Sequence, residues 1–467
     1  MRTGRSMWPT AGPLLVALAL VGCASAPPGP VADLAIDNVN VIDTRTGAVA
    51  VSRTILIAGE RIEAVVPAGS RSLATRRVDG KGAWAIPGLW DAHLHLLQDD
   101  AGSALRTAPT LPGYGITHVR DMGSSASALA AYRDAEDGIE GPVVLASGPT
   151  FWAIELPYGD KSQQRLVAPD ADMDAEVGQA AALGVDFIKV YAGFGPERLE
   201  ALANAARRSG LPLAGHAQSG LDLDAQARLG LSTIEHLETS TFTGCGVDPD
   251  VYFDRIIAAR FGGSGETIPD ITADFAADLD RPACVAMFER AAAAGLAITP
   301  TLEATLLPPS LVRGLVETLP PDQREGCDVY LRGFGELTPT SETRYLAAGA
   351  ALLGLIREAG VPLLAGTDAP AFCGTPGPSL ARELRLLGEA GLTPLEVLQS
   401  ATLNPARALG FSDSLGAIAP GREAHVLLLG SNPLDGPAAY TRPVGLFTQG
   451  RWRDEGDLDR LRLPSSD

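Results

Sequence analysis

The chain has 467 residues, 46% of them hydrophobic and 20% charged, which sets aside disorder as its main state and leaves ample material for a core. Asp and Glu number 56 against 37 Lys and Arg, a net charge of −19; so acidic a body repels phosphate backbones, and nucleic acid is set aside as a partner. At roughly 150 residues per domain the length suits about three domains, or one barrel with an appendage.

Taken from the start, Arg2 and Arg5 precede the apolar run 14–21, which is too short to span a bilayer as a lasting helix. That is the pattern of a secretory signal. It ends in Leu20-Val21-Gly22-Cys23, which resembles the bacterial lipobox, so residues 1–22 are expected to be a lipoprotein signal peptide and Cys23 the lipidated first residue of the mature protein. The alternative is an ordinary cut near Ala24-Ser25-Ala26. Residues 23–32 read as a Pro-rich tether. The expected location is an exported lipoprotein, held to the membrane at Cys23 and facing the periplasm or the cell exterior. Four cysteines remain, Cys245, Cys284, Cys327 and Cys373; three pairings are open, and with no CxxC a thiolate zinc site is not expected.

Residues 33–84 alternate apolar and polar side chains between Gly-containing turns, and the same style returns in 415–467. These two stretches are expected to form one small β-sandwich-like domain. Between them, in 85–414, apolar strands alternate with Ala/Leu/Glu/Arg-rich helical stretches. Thr117–Val119, Pro142–Ala146, Asp186–Val190, Pro212–His216, Thr233–Leu237, Ala297–Thr301 and Pro362–Gly366 each read as a buried parallel strand, and Trp84–Leu96 as an eighth. The predicted class is therefore α/β, a (β/α)8 TIM barrel. One connection, 239–296, is far longer than the rest, and because it follows a strand's C-terminal end it reads as a lid.

Six histidines occur in the whole chain, and four fall at predicted strand ends. His93 and His95 are two apart on one strand, so both rings face the same side. His216 and His236 close two further strands at the end where barrel enzymes place their chemistry. Asp368 holds the matching place on the last strand, and Lys189 lies inside an apolar one, where an unpaired ammonium is costly. Neutral imidazoles in such a set suit zinc or a similar first-row ion. His118 reads as a packing residue, His425 falls in the C-terminal strand-rich part, and Arg120 reads as the partner of a barrel carboxylate rather than of a substrate.

The run Trp84-Ala85-Ile86-Pro87-Gly88-Leu89-Trp90-Asp91-Ala92-His93-Leu94-His95, together with Lys189, His216, His236 and Gly366-Thr367-Asp368, resembles the metal-dependent amidohydrolase superfamily, in its imidazolonepropionase- and prolidase-related branch. Gly391-Leu392-Thr393-Pro394-Leu395-Glu396 and Ala401-Thr402-Leu403-Asn404-Pro405-Ala406 fit the stretch after that family's last barrel strand, so the likeness covers nearly all of 33–435. The resemblance implies two divalent metal ions. His93, His95 and Asp368 would hold one, and His216 and His236 the other, with a carbamate on Lys189 and a hydroxide as bridges. It further implies hydrolysis of a C–N bond in a small-molecule or short peptide-like substrate, with Asp368 carrying the nucleophile's proton to the leaving nitrogen. Tyr191 and Gln218, each two residues from a ligand, are candidate substrate contacts. Gln218 stands where relatives that cleave basic C-terminal residues often have tyrosine, so that substrate is not carried over. Two rivals stand beside this reading: an esterase, lactonase or phosphotriesterase with the same metals, and a metal- or solute-binding lipoprotein, which would have no use for Asp368 as a proton carrier.

Overall fold

The computed structural model describes residues 31–462, apart from 98–100, 156–159, 318, 320 and 336–337. The expected signal peptide, residues 1–22, and Cys23 lie outside the described residues. Alternating side chains lay down five strands near the N-terminus: β1 (Val31–Ile42), β2 (Val49–Ala58), β3 (Arg61–Pro67), β4 (Leu73–Asp79) and β5 (Trp84–Pro87). Nine shorter ones follow: β6 (Leu89–Leu94), β7 (Ile116–Asp121), β8 (Val143–Ala146), β9 (Thr150–Trp152), β10 (Gln164–Leu166), β11 (Ile188–Ala192), β12 (Leu213–Gly215), β13 (Leu231–Glu235) and β14 (Ala297–Thr299). The last three are β15 (Val426–Leu429), β16 (Pro443–Thr448) and β17 (Arg451–Asp454).

Both ends of the chain build one mixed sheet, in the order β17-β16-β15-β5-β1-β2-β3 with β4 beside β1. The join is β5 against β15, antiparallel, Trp84 opposite Leu429 and Pro87 opposite Val426. Period two sorts the side chains of β1: Leu34 and Ile36 enter an apolar cluster with Ile55, Ile57, Val426 and Leu428, while Ala35 meets Leu56 on the other face. The sandwich-like appendage expected from the sequence is thus a single hydrogen-bonded sheet of eight strands.

The remaining strands are parallel and fall into two sheets, β6-β7-β8 and β10-β9-β11-β12-β13-β14. They do not form one unbroken ladder of eight. The segment Pro362–Gly366 touches β14 through a single bridge, Ile298 to Leu363. The N–H of Ala365 donates to Ser400 O (2.9 Å) while its carbonyl accepts from Ala92 N (2.8 Å), so this segment links β14 to β6 without becoming a regular strand. At the other junction Asp186 N donates to Ala146 O (2.8 Å), and the short strand β9 lies against β11. Trp84–Leu96, expected as one strand, is two. Gly88 sits at the change of sheet, where a Cβ would come within 2.3 Å of Thr117 Oγ1.

Helices fill the connections. Pro196–Arg208, between β11 and β12, buries Leu199, Leu202, Ala203 and Ala206 at helical spacing and starts with Pro at its first turn. The long connection 239–296 holds three α-helices, Pro249–Ile257, Ile268–Asp278 and Arg281–Ala293, with a π-helical turn, Ala258–Gly262, after the first. Of the three open cysteine pairings, the structure has Cys245–Cys284, which ties this connection to itself, and Cys327–Cys373. Among the described residues no helix is long and apolar enough to cross a membrane.

Candidate metal centre

The six predicted ligands come together. His93 in β6, His95 just past it, Lys189 in β11, His216 after β12, His236 after β13 and Asp368 after Pro362–Gly366 all line one cavity of about 350 Å³. His93 Nε2 and His95 Nε2 each lie 3.1 Å from Asp368 Oδ1, and His236 Nδ1 lies 4.0 Å from Asp368 Oδ2. Donor atoms of His93, His236 and Asp368 fall within 4.8 Å of one another, all three buried. The His216 and His236 ring centres are 4.7 Å apart, and those of His93 and His236 4.6 Å.

Beneath these residues lies a layer of which the sequence indicated only Arg120. His93 Nδ1 is 2.9 Å from Glu235 Oε2. A carboxylate can only accept, so Nδ1 is the donor and Nε2 keeps a lone pair directed at the cavity. That Nε2 is buried and makes no hydrogen bond. An orphaned imidazole acceptor beside a carboxylate is what a divalent cation would satisfy, and the donor set fits one. Glu235 in turn accepts from Arg120 Nη2 (2.8 and 2.9 Å) and from Thr233 Oγ1 (2.6 Å). Arg120, 1% exposed, completes its shell with Ala92 O (2.6 Å) and Thr299 Oγ1 (3.2 Å). It is therefore the partner of a buried carboxylate, as expected from the sequence. Asp91, two residues before His93, accepts from Thr367 N (3.0 Å) and Thr367 Oγ1 (2.8 Å), while Asp368 N donates to His93 O (2.7 Å). The turn that carries Asp368 is thereby pinned to the strand that carries His93.

Burial acts on every charge here. Burial lowers His236 to about 3, so its ring is neutral and free to ligate. Lys189, 2% exposed, is pushed down to about 8 by desolvation, against the pull of Glu235 and Asp368. Burial would raise Glu238, yet His216, with Nδ1 3.5 Å from Glu238 Oε2, brings it to about 2. Burial lifts Asp91, whose pKa is about 7.

The backbone is strained at the same place. His236 (φ 72°), Thr301 (φ 47°) and Asp368 (φ 59°) all occupy the left-handed region, each just beyond the end of a parallel strand or of Pro362–Gly366. Thr301 Oγ1 lies 2.8 Å from His236 Nδ1. Gly215, at φ 151°, precedes His216; a Cβ there would meet Val190 O at 1.9 Å, so only glycine lets β12 lie this close to β11.

The two expected substrate contacts differ. Tyr191 stacks on Trp152 (ring centres 3.9 Å apart, planes at 9°) and lines the cavity beside His216. Gln218 is buried, its Oε1 accepting from Phe194 N (3.0 Å) and its Nε2 donating to Tyr191 O (3.1 Å) and His216 O (2.8 Å). Its amide is wholly engaged with backbone, so it holds the two loops together. His118 stacks on Trp90 at 4.4 Å and packs edge-on against His425 at 4.6 Å; neither lines the histidine cavity.

Fold and site together define an α/β protein with a buried histidine, lysine and carboxylate cluster at the C-terminal ends of parallel strands. Residues 84–452 match the Amidohydrolase family, and the chain belongs to that family. It is 27% identical to an imidazolonepropionase from Ralstonia nicotianae over 445 residues, 89% of this chain and 93% of the relative. It is 31% identical to an adenine deaminase from Chelativorans sp. over 196 residues, 39% of this chain. The match spans only 32% of that deaminase's length. Among solved structures, the bottromycin amidohydrolase aligns with TM-score 0.71 and 25% identity over 91% of this chain and 88% of its own. A protein from Bifidobacterium longum, described provisionally as a prolidase, aligns with TM-score 0.64 and 25% identity over 92% and 97%.

Proposed function

We propose that this chain is a metal-dependent hydrolase that cleaves a C–N bond, in a peptide-like or N-acyl amino acid substrate. The observation that carries the reading is the orphaned Nε2 of His93, aimed at Asp368 in a cavity lined by three more histidines and a buried lysine. His93, His95 and Asp368 would hold one divalent ion, zinc by the chemistry of the set, and His216 and His236 a second, with Lys189 as a carbamate between them. When bound, such ions supply an acidified water and positive charge for the carbonyl oxygen. The protein's own part is to orient and to move a proton. Glu235 fixes the tautomer of His93, and Asp368 takes the nucleophile's proton on a carboxylate oxygen and delivers it to the departing nitrogen. Tyr191, held flat by Trp152, walls the substrate, and Gln218 positions the loops on either side of it. In this reading the two parallel sheets act as one (β/α)8 barrel, carried with a small domain formed by 33–84 and 415–467, and 239–296 is a cover over its mouth.

The test is a panel of dipeptides, N-acyl amino acids, matched esters and adenine, offered to zinc-loaded protein before and after chelation. Chelator-sensitive release of amine from the amides is expected. Turnover of esters alone would overturn the C–N reading, and ammonia from adenine alone would replace a peptidase with a deaminase. We further propose that the protein is anchored through a lipid on Cys23. Labelling with a clickable fatty acid should mark the wild type and not Cys23→Ala; equal labelling overturns the anchor.

A further inference from the structure

A second and larger cavity, about 900 Å³, lies beside the first, and Tyr191, His216 and Glu238 line both. Much of its lining is apolar: Ile154, Phe194, Phe253, Ile257 and Phe261. Three of these remain in contact with water, Phe261 at 60% exposure, Ile154 at 46% and Phe253 at 38%. Large apolar side chains gathered at one mouth mark a binding surface rather than scattered surface residues. The charges on the wall share one sign. Glu238, Asp250 and Asp254 line it, and among the described residues no Lys or Arg does. The two arginines on the same stretch are turned elsewhere. Arg255 pairs with Glu266 (2.6 Å) and Asp274 (2.8 Å), and Arg260 lies 5.4 Å from the ring centre of Phe372, which belongs to the wall of the first cavity. Helix Pro249–Ile257 is braced from behind by a hydrogen bond from Tyr252 to Asp278, and the segment before it by the Cys245–Cys284 bridge, so the wall is preformed.

We infer that this cleft is a substrate subsite that takes a bulky apolar arm, uncharged or cationic, joined directly to the scissile C–N group. The inference rests on the C–N hydrolase reading above and adds the class of substrate. The shared wall places the arm's point of attachment beside His216, and the cleft lies within the size range of sites for small organic molecules. A medium-length acyl chain or a phenylalkyl group would displace water from Ile154, Phe253 and Phe261, whereas an arm ending in a carboxylate would meet three acids and no counter-charge.

The experiment uses N-acyl derivatives of one amino acid, so the bond cut never changes, with acetyl, octanoyl, 4-phenylbutyryl and glutaryl arms. The expected result is a kcat/KM for the octanoyl and phenylbutyryl substrates roughly 30- to 100-fold above acetyl, with glutaryl falling back to the acetyl value or below. In Phe253→Asp and Phe261→Ser the long-to-short ratio should shrink toward one. A binding readout runs in parallel, because the neutral dye Nile red should fluoresce with the wild-type protein and lose most of that signal in Phe253→Asp. Equal kcat/KM for all arms, or a preference for glutaryl, overturns the subsite while leaving C–N hydrolysis standing. Nile red binding unchanged by Phe253→Asp also overturns it. Cleft-dependent dye binding with no amide cleaved would instead support an apolar subsite and overturn the hydrolase reading.

Discussion

Lys189→Ala is expected to lose at least one metal ion and most activity. Four histidines and one aspartate are too few protein ligands for two ions that each seek four or more. The Lys189 side chain enters the same cavity, 2% exposed. Burial has pushed its ammonium down to about 8, so above that pH the neutral amine dominates, and this is the form that reacts with CO2 to give an anionic, bidentate carbamate. Metal uptake in the presence of bicarbonate should accordingly quicken as pH rises from about 7 to about 9. The loss in the variant should exceed the roughly 10- to 100-fold that follows removal of a ligand's outer partner. Short carboxylic acids, filling the vacated space, should restore part of it. Elemental analysis and turnover with and without acetate read both effects, and two metals with full activity in Lys189→Ala would refute the bridge.

The second large effect is expected at Glu235. Glu235→Ala removes the acceptor for His93 Nδ1 and leaves the Arg120 guanidinium buried without its counter-charge. Breaking a buried pair from one side costs about 3–5 kcal/mol, and losing the partner of a ligating histidine weakens metal binding roughly 10- to 100-fold. The double variant Arg120→Met with Glu235→Leu separates the two. Stability should largely return, because no lone charge remains, whereas metal affinity should not, because His93 is still unsupported. Denaturation and metal titration on the same samples read the two quantities. The pH dependence follows from the sign of the shift. Burial raises Glu235, but Arg120 and His93 hold it well below its ordinary value. The stability this adds is fully present above the unfolded carboxyl's pKa, near 4.5, and disappears only as pH falls through the lower folded value.

The residues that gather in the first cavity stand out in the sequence because each breaks a local rule. His216 and His236 end apolar strands, and Lys189 interrupts one, so each departs from what packing alone would select. Asp91 and Glu235 break the same rule, acids inside apolar strands, and a stricter reading of Thr233-Ile234-Glu235-His236 would have placed Glu235 on the inward face with Thr233. Sequence could not supply their partners. The bond from Arg120 to Glu235 joins β7 to β13, and nothing local to either strand specifies it. Gln218 shows the converse. Its spacing from His216 suggested a substrate contact; it lines the second cavity, but its amide is held by backbone partners that the spacing did not indicate. The division of Trp84–Leu96 into two strands turns on Gly88, whose role depends on Thr117 lying against it. The apolar cleft was hidden for a similar reason, since Ile154 and Phe261 meet only once the long connection has folded.

The seam between β5 and β15 also bears on how the protein reaches its native state. The two strands that complete the mixed sheet are made at opposite ends of synthesis, so β5 must wait with an open edge until nearly the whole chain is available. Pairings so distant along the chain are slow to close and add little until most of the molecule is in place. The sheet begun by β1–β5 is therefore completed last, when β15, β16 and β17 arrive from the trailing part of the chain. The helices and parallel strands that carry the histidines lie between β5 and β15 in the chain, so the β5–β15 join acts as a latch closed over a centre whose residues are already made.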